Sequence, residues 1–169
     1  LETDTVLHFI TGEPIAKAFP HLTPTYPTER FVSLDAVLGR LGTAPKWLVL
    51  SAAPHGAAAG IIDKLLAAGA AAGVELVVVD ASADFRFADA SAYAAVYGHE
   101  HETPTRLPEF TCAVPEHLAR IDTPHAAHPG CFATTMLLGM VPLAALGLAD
   151  HFHVSAVTGS TGAGRTPRD

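Results

Sequence analysis

Between residues 46 and 80 a short apolar run, an alanine-rich stretch and a second apolar run follow one another, and few folds accept that order. Lys46 to Leu50 reads as a strand ending in the small polar turn Ser51-Ala52-Ala53-Pro54-His55-Gly56. From Ala57 to Ala72 the larger apolar residues recur at helical spacing, with Gly73 as the stop. Val74 to Val79 is then a nearly continuous apolar run closing on Asp80. That is the pattern of a buried parallel strand emerging into a polar site at its carboxyl end. Strand, helix and strand in this order make a βαβ unit and predict an α/β fold around a mostly parallel, Rossmann-like sheet. Val6 to Ile10 reads as a further strand.

Proline and charge break the pattern between Phe87 and Pro129, where only Ala90 to Tyr97 reads as helical. Loops, an irregular arm and a domain boundary are expected there. Beyond Pro129, the segment MLLGMVPLAALGLA is apolar nearly all round and predicts a buried helix from about Cys131 to Leu146, with a kink or early end at Pro142. His151 to Thr158 alternates as a strand with one polar face, and the glycine-rich Gly159 to Arg165 follows. Its glycine spacing is reversed from GxGxxG and no helix pattern follows, so it reads as a loop that lets backbone approach a ligand and not as a dinucleotide fingerprint.

The composition narrows the function classes. With 169 residues, 49% of them hydrophobic, the chain has ample material for a core, yet no apolar run approaches the 18 or so residues of a membrane helix. The 10 Lys and Arg face 17 Asp and Glu, for a net charge of −7, without a basic cluster, which disfavours a nucleic-acid surface and points to a small-molecule partner. Leu1 to Thr5 has no basic segment leading into an apolar core, so a cytoplasmic location is expected. Two cysteines, Cys112 and Cys131, are too few for a disulfide framework and read as free thiols.

Cys131 carries the most chemical information. At the first turn of a helix, unpaired N–H groups and the positive end of the dipole favour an anion, so a thiol there is set up as a nucleophile, and the same N–H groups can stabilise an oxyanion. Gly130 before it permits an unusual backbone angle and close substrate access. The plainer alternative is a small buried core cysteine, which is how Cys112 reads. Asp80-Ala81-Ser82-Ala83-Asp84-Phe85-Arg86 places Ser82, two carboxylates and a guanidinium straight after a buried strand, where Arg86 either clamps a carboxylate or phosphate or pairs internally with Asp80 or Asp84. Arg165 has the same choice between a ligand and solvent. The 10 histidines include His99-Glu100-His101 and His151-Phe152-His153, spacings zinc can use, but neither HExxH nor paired CxxC accompanies them and no metal is expected. His55 and His128 flank the two candidate site loops.

Taken together, Ser51-Ala52-Ala53-Pro54-His55-Gly56, Val78-Val79-Asp80-Ala81-Ser82-Ala83-Asp84-Phe85-Arg86, Tyr93 with Tyr97-Gly98, His128-Pro129-Gly130-Cys131-Phe132-Ala133-Thr134 and Thr161-Gly162-Ala163-Gly164-Arg165 occur in an order and spacing that resembles the N-acetyl-γ-glutamyl-phosphate reductase family of the semialdehyde dehydrogenase superfamily. Gly12-Glu13-Pro14 and Pro20-His21-Leu22 also look like that family. The resemblance implies an NADP(H)-dependent reduction of an acyl phosphate to an aldehyde in arginine biosynthesis, by a homo-oligomer. Cys131 matches the nucleophile, Arg86 and Arg165 match arginines near the substrate with Ser82 beside them, Ser51, Pro54 and His55 would lie along the cofactor, and Gly162 near its nicotinamide end. It further implies a nucleotide-binding domain over residues 1–127 lacking its first strand and phosphate loop, and the start of an α+β catalytic and dimerisation domain over 128–169, with the site histidine beyond Asp169. Three positions depart from the pattern: His128 stands where the family usually has Asn, Phe132 where Tyr is frequent and Thr161 where Ser is common. These leave open a relative that reduces a carrier-protein-bound aminoadipyl phosphate in lysine biosynthesis. Aspartate-semialdehyde dehydrogenase shares the chemistry without the Ser-Ala-Asp-Phe-Arg segment. From other classes, a histidine-based metal-dependent hydrolase and a non-catalytic binding domain are the rivals.

Overall fold

The computed structural model describes residues 33–157. The strand expected over Val6 to Ile10 and the glycine-rich loop with Gly162 and Arg165 lie outside the described residues. Helix α1 (Leu34–Leu38) starts at Ser33, whose hydroxyl accepts a hydrogen bond from Ala36 N at 3.2 Å. Strand β1 (Lys46–Ser51), helix α2 (Ala58–Ala72) and strand β2 (Glu75–Asp80) then form the βαβ unit the sequence predicts. β1 and β2 pair in parallel, Lys46 opposite Glu75 through Ser51 opposite Asp80. Gly73 ends α2 in the left-handed region, at φ 67°, where its N–H and that of Val74 satisfy the carbonyls of Ala70 and Gly69.

Helix α3 (Ala90–Tyr97) occupies the expected residues; the Asp89 carboxylate accepts from the Ser91 and Ala92 amides at its start. The segment expected to be irregular holds the other half of the sheet. Strands β3 (Phe110–Cys112) and β4 (His125–Ala127) are three residues each, too short for any hydrophobic period. They exist because β4 inserts between β2 and β3, with both pairings parallel, giving the order β1-β2-β4-β3. Every described strand pair is therefore parallel, and the carboxyl ends of β1, β2 and β4 open on the same edge.

The core lies between the sheet and α2. Ala58, Ala59, Ile62, Leu65, Leu66 and Gly69 form the buried stripe of the helix, and Leu76 and Val78 meet it from β2. Gly69 is required by contact, because a Cβ there would run into the Leu76 side chain. Burying a side chain such as Ile62 completely contributes about 1.5–3 kcal/mol. Phe85 and Phe110 stack with centroids 3.9 Å apart, fastening the loop after β2 to β3. On the opposite face, Leu48 and Leu50 are each 73% exposed.

Helix α4 (Cys131–Ala145) starts where expected and runs one turn past Pro142. The expectation that it is buried is corrected: none of its residues is buried, and Phe132, Leu138, Val141 and Leu143 are exposed. Apolarity on all sides shows that something must cover a helix, not that the same segment of chain supplies the cover. The expected strand over His151 to Thr158 is also corrected, since residues 151–157 form no strand. Alternation marks a segment suited to a sheet, but a strand forms only against an edge, and these residues meet none among the described ones.

Candidate active site

Parallel pairing brings the loops after β1, β2 and β4 together, and backbone hydrogen bonds carry the ladder past the strand ends. Ala81 N donates to Ser51 O and His128 N to Asp80 O, each at 2.7 Å. The loop after β2 is braced internally. Asp80 is fully buried and accepts from Ser82 N at 3.2 Å and from the Ser82 hydroxyl at 2.6 Å. That hydroxyl accepts in turn from Asp84 N at 3.0 Å. Burial pushes the Asp80 carboxyl above the usual carboxylate range, against the pull of the Ser82 donors. Ser82 is itself buried, with its hydroxyl engaged inside the turn that carries Arg86.

Asp84 ties this loop to the one after β1. Its carboxylate, fully buried, accepts from Gly56 N at 2.7 Å, Ala59 N at 3.0 Å and the Tyr93 hydroxyl at 3.3 Å. Helix α2 has no side-chain cap of its own, and an aspartate 25 residues further on accepts from Ala59 N in its first turn. Burial, reinforced by the neighbouring Asp84 charge, pushes Tyr93 up to about 12 and keeps it a donor. A second tie runs from Ala83 N to His55 Nδ1 at 2.9 Å, which leaves the exposed edge of the His55 ring facing outward. Ser51 is buried at the end of β1, opposite Asp80 in the parallel ladder.

Beside these ties stands the start of α4. Gly130 precedes Cys131 at φ 103° and ψ 163°, a conformation that an L side chain rarely adopts, and supplies no side-chain cap. Cys131 is exposed, in the first turn, where the leading amides have no intrahelical acceptor. The Arg86 guanidinium lies over Gly130: a Cβ there would stand 3.0 Å from Cζ and Nη2 and 3.1 Å from Nη1. Arg86 Nε donates to His128 O at 3.2 Å, and among the described residues Arg86 makes no ion pair with Asp80 or Asp84. Its Nη atoms thus stand over the residue that precedes Cys131. The His128 ring accepts from Gly130 N at 3.1 Å through Nδ1 and meets Thr134 Oγ1 at 3.2 Å through Nε2. Cys112 is half-buried, and burial pushes its thiol up, against the pull of the Arg86 charge.

Of the residues singled out from sequence, Cys131, Arg86 and His128 converge on one helix start. Ser51, Pro54 and His55 line the loop after β1, with the last two exposed. Among the described residues no group of three or more potential ligands gathers around a metal position. His101, from the first histidine pair, has both nitrogens occupied: Nε2 donates to Asp84 O at 2.7 Å and Nδ1 accepts from Thr103 N at 3.1 Å. Its ring stands edge-on to Phe85 and Tyr93. Sequence reasoning did not find the roles of Asp84, Tyr93 and His101, nor the chain Asp63–Arg106–Glu109 that ends on the buried His125. Apart from the short Arg106–Glu109 and His101–Thr103 links, these contacts join separate segments and leave no local spacing to read.

A family model described as semialdehyde dehydrogenase, dimerisation domain, matches residues 131–169, beginning at Cys131. Among curated proteins, the chain is 36% identical over 164 residues to the N-acetyl-gamma-glutamyl-phosphate reductase of Methanopyrus kandleri, covering 95% of this chain and 45% of that protein. It is 39% identical to the protein of the same name from Azotobacter vinelandii and 38% to that of Pseudomonas aeruginosa, each over 91% of this chain and 43% of the relative. The chain therefore spans less than half the length of the curated relatives it matches.

Proposed function

We propose that the chain is part of an N-acetyl-γ-glutamyl-phosphate reductase of the semialdehyde dehydrogenase kind, like the relatives it resembles, and that the whole protein converts N-acetyl-γ-glutamyl phosphate to N-acetyl-glutamate 5-semialdehyde, in arginine biosynthesis, with Cys131 as nucleophile. The observation that carries this reading is the exposed Cys131 in the uncapped first turn of α4 with the Arg86 guanidinium over Gly130.

The Cys131 sulfur attacks the acyl carbonyl carbon, its electron pair forming the C–S bond. The tetrahedral oxyanion is met by the free amides of the α4 start. It collapses by breaking the bond to the phosphate oxygen, which departs with its electron pair and leaves a thioester. Phosphate is a good leaving group, so the thiolate needs a placed carbonyl and an oxyanion site more than a strong acid. Arg86 holds the phosphate or carboxylate of the substrate through its Nη donors, and Ser82 and Asp80 hold the turn that aims it. Arg165 is proposed as a second substrate arginine.

NADP(H), when bound, supplies the hydride that reduces the thioester carbonyl. The residues of the loop after β1 fit a place along that cofactor. Pro54 and the outer edge of His55 are exposed just beyond Ser51, the last residue of β1. Asp84 already occupies Gly56 N in this loop and Ala59 N in the first turn of α2. Gly162 is proposed for the nicotinamide end. After reduction, the hemithioacetal on Cys131 releases the aldehyde and regenerates the thiolate.

The proposed organisation is a nucleotide-binding unit up to residue 127 and the start of a catalytic and oligomerising unit from residue 128. The exposed apolar faces of α4 suit burial in that larger unit or against a second copy. No described helix is long and apolar enough to cross a membrane, and a cytoplasmic enzyme is proposed. The full-length protein, given NADP⁺, phosphate and N-acetyl-glutamate 5-semialdehyde, is expected to form NADPH and to lose this activity in Cys131→Ser. A chelator-sensitive activity that survives the substitution overturns the reading, and a preference for a carrier-bound aminoadipyl substrate reassigns it.

A further inference from the structure

Four contacts of His128 reach every part of the candidate site. Its N–H donates to Asp80 O at 2.7 Å, continuing the sheet ladder from β2, and its carbonyl accepts from Arg86 Nε at 3.2 Å. Its ring bonds Gly130 N through Nδ1 and Thr134 Oγ1 through Nε2. The bond from Gly130 N back to the side chain two residues earlier is the one an asparagine or aspartate makes in an Asx turn. Here an imidazole nitrogen replaces the amide oxygen, and the second nitrogen reaches on into the first full turn of α4, beyond the reach of an asparagine from the same position.

We propose that His128 is the positioning residue that sets Gly130 and Cys131 against Arg86, and that it does so only in the neutral form that carries its proton on Nε2. This rests on the reductase reading above. The restriction follows from the donors. Gly130 N–H points at Nδ1, so Nδ1 must be bare, and the ring's single proton lies on Nε2, donated to Thr134 Oγ1. A second proton would set N–H against N–H and push the ring out of the turn. The charged neighbours bonded to His128 are Arg86, whose Nε donates to its carbonyl, and Asp80, which presents its carbonyl to His128 N and ties its carboxylate to Ser82. The next titratable group along the chain is Cys131, three residues on at the start of α4.

The full-length enzyme tests this with His128→Asn, which keeps an acceptor for Gly130 N, and His128→Ala, which removes it. Loss of one such bond in the reacting geometry is expected to lower kcat about tenfold in His128→Ala with little change in KM. His128→Asn is expected to recover most of that loss. Iodoacetamide labelling of Cys131, with Cys112 as internal reference, gives a readout independent of turnover. The ratio of wild-type to His128→Asn rates at Cys131 should change with pH across about pH 5–8, while Cys112 labels alike in both. Wild-type kcat in His128→Ala, a His128→Asn no better than His128→Ala, or a pH-independent labelling ratio each overturn the proposal. If wild-type protein lacks the reductase activity but shows the labelling pattern, the functional reading fails and the positioning role stands.

Discussion

Removing the Asp84 carboxylate should weaken the protein more than any other single change at this end of the sheet. Three donors converge on it in a fully buried position: Gly56 N at 2.7 Å, Ala59 N at 3.0 Å and Tyr93 Oη at 3.3 Å. Hydrogen bonds to a charged group contribute about 1.5–3 kcal/mol each, and a buried donor left without an acceptor costs a similar amount. Counting the two short backbone bonds, and allowing that burying the charge offsets part of their gain, Asp84→Ala should cost about 3–5 kcal/mol. Asp84→Asn retains one acceptor but turns an N–H toward the second amide, for a loss of about 1.5–3 kcal/mol. Tyr93→Phe removes only the longest bond and should cost about 1 kcal/mol or less. Urea unfolding of the full-length protein reads these differences directly, and amide exchange locates them, because Gly56 and Ala59 should lose protection before the middle of α2 does. An Asp84→Ala midpoint within 1 kcal/mol of wild type, or unchanged protection at Gly56 and Ala59, refutes the idea that a distant aspartate caps this helix.

His125 gives a pH dependence of known sign. Burial holds its pKa below the ordinary 6.5, with Glu109 opposing, so the unfolded chain takes up a proton more readily than the folded one. Stability from this residue is complete above pH 6.5 and is lost as pH falls from there toward the lower folded value. Urea midpoints should therefore drop more steeply below pH 6.5 in wild type than in His125→Gln, by at most about 1.4 kcal/mol per pH unit; parallel curves would remove His125 from the account. Gly130→Ala meets two obstacles, a φ of 103° and the Arg86 guanidinium 3.0 Å from the new Cβ. The guanidinium can swing aside at the end of its flexible chain, so the stability cost is backbone strain of about 1–3 kcal/mol, while kcat/KM of the full-length enzyme should fall at least about tenfold. Unchanged kcat/KM would mean that Arg86 does not need its place over Gly130.

What was legible in the sequence was whatever repeats locally. The Ala58–Ala72 helix shows its buried stripe at helical spacing, and Glu75–Asp80 shows its run of valines, so both could be placed within a residue or two. Phe110–Cys112 and His125–Ala127 have no period to display; pairing with β2 and with each other makes them strands. Residues 151–157 show the converse, a period without a partner. The same division runs through the site. Cys131 and Arg86 were readable because a glycine-cysteine pair opening an apolar helix and a polar turn closing a buried strand are local patterns, and parallel pairing then brings them to one edge. Asp84 was visible as part of that polar turn, but its partners at Gly56 and Ala59 come from another loop.

That missed contact decides how the two helix starts at this edge differ. Helix α2 and helix α4 both begin just beyond a strand's carboxyl end, and both start without a side-chain cap of their own. At α2 a buried carboxylate already stands at the helix start and accepts from Ala59 N, so an external anion would meet a like charge there. At α4 the cap position is a glycine held open by the His128 ring, the nearest charge is the Arg86 guanidinium, and the first residue is an exposed thiol. An internal anion closes one helix start, and a glycine beneath an arginine leaves the other open to an anionic substrate.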